Sequence, residues 1–285
     1  MDPLLFTLAV LAASLVAGLL GSLLGIGGGM ILVPFLTIVM HVDIRLAIGA
    51  SLISVIATSS GAAIAYLKDR ITNVRIGMFL EVGTTTGALV GATIAGFAPA
   101  SVLALVFGVV LSYSAYQMLQ ARHQETPPLV SSPAAERLRL ASSYYDPALK
   151  RHVEYGVSGV WESLGVMWIA GALSGLLGIG SGVFKVLAMD LFMKLPLKVS
   201  STTSNFMIGV TGAASAGVYF FRGDIQPYLA APVAIGVLTG SMLGARLLVR
   251  MKSTRLRQIF VIVVAFAALQ MVWRGVSGLW GGGHG

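Results

Sequence analysis

The chain contains no cysteine. That absence excludes thiol catalysis, a thiolate metal site, a cysteine relay for sulfur groups and a disulfide-stapled secreted fold. Charge is also scarce: 11% of the residues are Asp, Glu, Lys or Arg, against roughly 25% in soluble domains. A water-soluble globule of 285 residues needs far more charge to cover its surface, so a soluble enzyme is excluded. A disordered chain is excluded as well, because 56% of the residues are hydrophobic. His41, His123, His152 and His284 fall in loops or the tail without ligand spacing, so neither a metal nor another cofactor is expected. No nucleophile–base pair and no phosphate or dinucleotide loop in a credible strand context occurs, and the chain is expected not to be an enzyme. The N-terminal apolar run lacks a basic n-region and a cleavage site, which makes it a retained span rather than a signal peptide.

What the chain does have is long apolar runs. They cover about 4–24, 29–40, 46–67, 76–98 and 101–120, then 157–177, 183–193, 199–221, 228–249 and 256–275. Most approach the ~20 residues needed to cross a bilayer. Two, 29–40 and 183–193, reach about half way at ~1.5 Å per residue, and each follows a glycine-rich break. The expected fold is therefore an all-α, polytopic membrane protein. The formal net charge of +8 fits basic loops facing cytoplasm and anionic lipid better than nucleic-acid binding.

The chain also repeats itself. Gly18-Leu-Leu-Gly-Ser-Leu-Leu-Gly25-Ile-Gly27-Gly28-Gly29 returns as Gly171-Ala-Leu-Ser-Gly-Leu-Leu-Gly178-Ile-Gly180-Ser181-Gly182, 153 positions later. Thr86-Gly87-x-x-x-Gly91 returns at the same offset as Thr239-Gly240-x-x-x-Gly244, and Gln117-Met118 as Gln270-Met271. The organisation expected is a first transmembrane repeat over 1–120, a cytoplasmic linker over 121–155, and a second repeat with a short tail over 156–285. Five segments per half, an odd number, force the second half to enter the membrane upside down. Alternating the loops puts fourteen basic residues on one side and three on the other; treating each short segment as part of one crossing gives ten against seven. Positive loops collect in the cytoplasm, so the five-plus-five arrangement is preferred, with both termini outside. Parity leaves two readings of each short segment, a full crossing or the return arm of a re-entrant hairpin.

Inverted repeats with paired, glycine-interrupted segments build midplane sites in secondary transporters. Breaks at Gly25–Gly29 and Gly178–Gly182 approach from opposite faces. Their free amides, with the N-termini of the short helices, form a positive-ended cradle for an anion.

At these residues the sequence resembles the TauE/SafE sulfite-exporter family, also called TSUP. The resemblance rests on the paired GLLGIGGG and GLLGIGSG segments, the Thr-Gly-x-x-x-Gly pairs and the hydropathy, and covers nearly all of the chain except the linker and the Gly-rich end. It implies a membrane transporter of small oxyanions or organosulfur anions such as sulfite, sulfoacetate or other sulfonates, with the two glycine-rich segments as its core. The second segment departs from the first at Ser181 and Lys185, where the first has Gly28 and Leu32.

The candidate substrate site comprises Gly25, Gly27, Gly28, Gly29, Gly178, Gly180, Ser181, Gly182 and a few side chains. An intramembrane lysine costs at least about 2.5 kcal/mol unless it faces a partner or water. Lys185 is therefore expected to attract the anion from the cavity wall, or else to snorkel or pair with Asp190. Thr203 and Asn205, in the polar run opening 199–221, and Ser51 and Ser54, in the matching helix, offer hydroxyl and amide donors; interhelical hydrogen bonding is their competing role. Glu81 and Asp190 are candidates for a coupling proton or cation, against a plain boundary or ion-pair role. Arg246 reads as a snorkelling anchor, Gln117 and Gln270 as interhelical glue, and the tryptophans as a boundary belt. The linker is expected to be a connector with a short amphipathic helix at 136–140. The function expected is a secondary transporter of a small anion in the inner membrane; an anion channel is the alternative.

Overall fold

A computed structural model describes residues 2–68, 71–120, 131–147, 149–178, 180, 182–251 and 253–281. The first half consists of α1 (Pro3–Leu24), a short arm made of α2 (Gly29–Pro34) and a π-helical turn (Phe35–Val39), α3 (Ile44–Lys68), α4 (Val74–Ala95) and α5 (Ala100–Gln120). The linker holds α6 (Pro133–Arg137), β1 (Ser142–Asp146) and β2 (Arg151–Tyr155). The second half consists of α7 (Val160–Leu177), α8 (Gly182–Leu191), α9 (Leu197–Phe221), α10 (Pro227–Arg250) and α11 (Ser253–Gly281).

Among the described residues, five helices are long and apolar enough to cross a membrane: α1, α3, α4, α7 and α10. The 25-residue α9 is not among them; its Ser200–Asn205 run is polar and wholly buried. Polarity is distributed inside out. Leu8, Val16, Ile169, Ile235, Ile262 and Phe266 are exposed, while Ser22, Ser51, Thr58, Thr84, Thr202 and Ser215 are buried. This is an all-α polytopic membrane protein, as the composition indicates.

The halves interlock through exchanged pairs. α1 packs on α10 and α7 on α4; α3 packs on α10 and α9 on α4; α3 meets α9, and α5 meets α11. Each pairing turns into its counterpart when the halves are swapped. The Thr-Gly-x-x-x-Gly segments explain the close approach. A Cβ on Gly87 or Gly91 would strike the backbone carbonyls of Trp168 and Ala172; one on Gly240 or Gly244 would strike those of Leu15 and Leu19, the same positions 153 residues earlier.

The short arms are return arms. Pro3, Phe6 and Thr7, which open α1, line one groove with His41, Val42 and Asp43, which follow the first arm. In the second half Ser158, just before α7, bonds the carbonyls of Phe192 and Met193, just after α8. So α1 with its arm, and α7 with α8, fold as helical hairpins. Both arms end alike. His41 and Lys194 take left-handed backbone at φ 54° and 56°, and Met40 N–H→Phe35 O and Met193 N–H→Ala188 O close the last turns at i→i+5 spacing.

The linker departs from the all-α expectation. Helix α6 spans Pro133–Arg137, N-capped by Ser132, and stops short of the expected 136–140 helix. An antiparallel hairpin follows, pairing Tyr144 with Val153 and Asp146 with Arg151. Its alternation of exposed and buried residues in Ser142–Asp146 is a strand pattern.

Candidate functional site

The tips of the two helical hairpins meet. α1 ends at Gly25 (φ 74°) and α7 at Gly178 (φ 67°), followed by Gly27 (φ 75°) and Gly180 (φ 72°). Left-handed backbone at these positions requires glycine. A Cβ on Gly182 would run into the backbone of Ile26 and Gly25; one on Gly29 would lie 3.1 Å from Ser51 Cβ and 3.3 Å from the Gly178 carbonyl oxygen. The breaks are thus in direct contact here, instead of being separated by the hollow expected of a cradle. Ser181 lies outside the described residues.

Two serines clamp the tips with the same geometry. Ser51 Oγ donates to the Gly178 carbonyl, and Ser204 Oγ to the Gly25 carbonyl. These serines are 153 residues apart, as are the glycines they hold. Asn205 Nδ2 donates to Ser22 O at 2.6 Å, and Gly28 N–H donates to Thr58 Oγ1 at 3.2 Å. The clamps cover carbonyl oxygens, the negative ends of the tip peptides. The amides of Gly27, Gly29 and Met30 meet no acceptor among the described residues. Three amides of the first tip thus offer donors to an anion.

Beside the second tip lies a charge cluster with no counterpart in the first half. Lys185, one turn into α8 and fully buried, pairs with Glu81 of α4 at 3.1 Å. Its hydrogen-bond partner on α9 is Thr211, whose hydroxyl donates in turn to Glu81 Oε1. Thr85 also donates to that oxygen, at 2.9 Å. The Glu81 side chain is 8% exposed. The symmetry-related positions hold Leu32, Ala234 and Leu238; only Thr211 keeps its kind, as Thr58. The partner of Lys185 is thus Glu81 and not Asp190, which sits half-buried near the end of α8.

Thr203 belongs to a different assembly. Its hydroxyl accepts from Asn73 N–H at 3.0 Å at the start of α4. Asn73 Nδ2 reaches Leu140 O at 2.8 Å and Tyr155 Oη at 3.1 Å, and buried Lys198 bonds Asp146 at 2.7 Å. These contacts seat the linker hairpin over the starts of α4 and α9. Burial pushes the phenol pKa of Tyr155 up, partly offset by hydrogen bonds with Asn73 and Ser142. Burial also raises that of Tyr144, reinforced by the negative charge of Asp146.

The tips thus bring together Gly25, Gly27, Gly28, Gly29, Gly178, Gly180, Gly182, Ser51 and Asn205, with Lys185 and Glu81 alongside. Thr203 bonds Asn73 instead, and Asp190 lies near the end of α8. Ser54 Oγ is buried against Gly28. Ser204, Thr58, Thr85 and Thr211 complete the constellation without having been singled out. Ser204 had a signal, since it is the register mate of Ser51. Arg246 is exposed and Gln270 is half-buried; the side chain of Gln117 lies outside the described set. Among the described residues no three His, Asp or Glu gather as a metal site would need.

A family model described as "Sulfite exporter TauE/SafE" matches residues 10–271. The chain is 27% identical over 270 residues to "Probable membrane transporter protein YunE" of Bacillus subtilis, covering 92% of this chain and 96% of the relative. It is 24% identical over 257 residues to "Probable membrane transporter protein YdhB" of the same organism, covering 90% and 96%. A "Probable membrane transporter protein" of Xylella fastidiosa is 25% identical over 268 residues, covering 92% and 94%. No solved structure matches the chain.

Proposed function

The chain belongs to the sulfite exporter TauE/SafE family of membrane transport proteins, and on that premise we propose that it is a secondary carrier of a small oxyanion: sulfite, a sulfonate or a related organosulfur anion. The anion binds between the two glycine tips, near the bilayer midplane. The hairpins enter from opposite faces of the inner membrane as inverted repeats, with the linker in the cytoplasm and both termini outside.

The observation that carries this reading is the pair of serine clamps. Ser51 and Ser204 cover the Gly178 and Gly25 carbonyls, while amides of Gly27, Gly29 and Met30 have no acceptor among the described residues. An anion accepts from these amides, and the two clamped carbonyls are closed to a cation. The contact between the tips favours a carrier over a channel. Seating a solute there requires the halves to part, and parting them toward one face or the other in turn is alternating access. The interlocked pairs, α1 on α10 and α7 on α4, supply rigid units for that movement.

The test is thermal unfolding of the purified protein with sulfite, methanesulfonate, sulfate or chloride added. A ligand at 100 times its Kd stabilises by about 2.7 kcal/mol. Sulfite or methanesulfonate is expected to raise Tm, with chloride ineffective and the shift lost in Lys185→Met. No shift with any of the four anions refutes the reading.

A further inference from the structure

The Glu81–Lys185–Thr211 cluster has one property that the equally buried glycine tips lack: it holds a charged pair that is neutral overall. Lys185 rises one turn from the tip at Gly182, so its ammonium is the positive charge built beside the proposed anion site. In this structure that charge is already satisfied by the Glu81 carboxylate, which holds the place of an anion. A monovalent anion added to the pair would leave one uncompensated negative charge in a low-dielectric interior, an arrangement proteins avoid.

We propose that Glu81 is the coupling-proton site of this transporter, and that the substrate anion and Glu81 exchange places on Lys185. A proton from solution adds to the Glu81 carboxylate and the neutral acid releases Lys185. The anion then takes up the ammonium. The site carries no net charge before the exchange, with Glu81 ionised, or after it, with Glu81 protonated and a monovalent anion bound. Thr211 and Thr85 suit the exchange, because hydroxyls accept from a carboxylic acid as readily as they donate to a carboxylate. This inference rests on the anion reading above and adds the stoichiometry: one proton travels with each monovalent anion.

The surroundings leave Glu81 to Lys185. From α8, Lys185 lies against the carboxylate, and Asp190 is half-buried five residues on. From α7, Glu162 is exposed; from α9, Lys198 is held by Asp146 and Arg222 by Asp224 at the far end. On α4 itself, Arg75 is exposed and bonded to Arg139 O. The register mates of Lys185 and Glu81 are Leu32 in the first half and Ala234 in the second, so the repeat does not duplicate the pair.

The experiment is calorimetric titration of the purified protein with methanesulfonate, which carries no titratable proton near neutrality, at pH 8 in Tris and in triethanolamine. The buffer dependence of the heat counts protons. Wild type is expected to take up close to one proton per anion bound, its affinity falling about tenfold per pH unit on the alkaline side. Glu81→Gln is expected to bind without proton uptake and without that pH dependence. Should Glu81→Gln not fold, Glu81→Leu with Lys185→Met replaces the buried pair by apolar groups; it is expected to bind no methanesulfonate, and binding with proton uptake by this variant overturns the proposal. Binding to wild type with no proton taken up, or uptake unchanged in Glu81→Gln, also overturns it while leaving the anion reading intact. Failure of wild type to bind either methanesulfonate or sulfite removes both.

Discussion

Replacing Gly25 by alanine tests the tips at their narrowest point. Two costs add. A non-glycine residue held in left-handed backbone costs about 1–2 kcal/mol, and Gly25 sits at φ 74°. The new methyl group also strikes the Ser201 backbone, which belongs to α9 and cannot turn aside; overpacking of this kind costs about 1–3 kcal/mol. Together they amount to about 2–5 kcal/mol. At about 2–4 °C per kcal/mol for a protein of this size, Tm falls on the order of 5–20 °C. Gly178→Ala carries the same backbone strain, at φ 67°, but its closest contact is the buried Ile48 side chain, and the nearest backbone atom, the Ile48 carbonyl oxygen, lies at 3.0 Å. Its loss is expected to be the smaller of the two. Gly165→Ala and Gly217→Ala are the controls. Both are helical, and a Cβ at either meets nothing within 4 Å, so each is expected to be neutral or to stabilise by up to about 1 kcal/mol. The assay is thermal unfolding in detergent, followed by loss of the monodisperse peak on size exclusion. A Gly25→Ala protein that melts within ~2 °C of wild type, or controls that melt as early as Gly25→Ala, would refute the reasoning.

Further outcomes follow from other contacts. Ser51→Ala or Ser204→Ala strips the hydroxyl from a buried tip carbonyl, and each is expected to cost about 1–3 kcal/mol in thermal stability and to weaken sulfite binding; full retention of both by either variant contradicts the clamp. Asp146→Asn leaves Lys198 buried without its counter-charge, a change worth about 3–5 kcal/mol if the hairpin stays seated. The hairpin is expected to release instead, seen as faster tryptic cutting at Lys150 and Arg151. The raised phenol pKa values of Tyr144 and Tyr155 mean that docking is fully supported below the ordinary value of 10.0 and is lost as pH rises beyond it. A fluorophore on Ser143→Cys should report undocking only above about pH 10, and at higher pH still in Tyr155→Phe. Because the chain has no cysteine of its own, Ser143→Cys and Phe97→Cys also read topology directly: an impermeant maleimide is expected to label the latter from outside intact cells and the former only after lysis.

One number, the 153-residue offset, made much of the fold legible. It pairs Gly25 with Gly178, and the carbonyl contacts of Gly87 and Gly91 with those of Gly240 and Gly244. It also pairs Ser51 with Ser204, and so predicts two matching clamps from one. What it does not reach is anything that breaks the symmetry. Lys185 and Glu81 stand 104 residues apart on helices that are not neighbours in the sequence, opposite Leu32 and Ala234. No local pattern joins them, and only the packing of α4, α8 and α9 does. The linker hid its hairpin for a different reason. A two-stranded hairpin is marginal by itself; this one stands because Asn73, Lys198 and Thr203 hold it against the helix ends, contacts that a segment read in isolation does not contain. Length alone left the course of the short arms undecided; in the fold Pro3 and His41 line one groove and Ser158 bonds Met193, so each arm doubles back beside its long helix.

The most direct test of the central claim, that the paired tips carry an anion across the membrane, is counterflow in proteoliposomes. Vesicles holding the purified protein are loaded with unlabelled sulfite and diluted into a trace of 35S-sulfite. The account predicts a transient accumulation of label above equilibrium in wild type, saturated by millimolar outside sulfite and absent in Lys185→Met. Label that enters no faster than into protein-free vesicles, or an overshoot that survives in Lys185→Met, would contradict it.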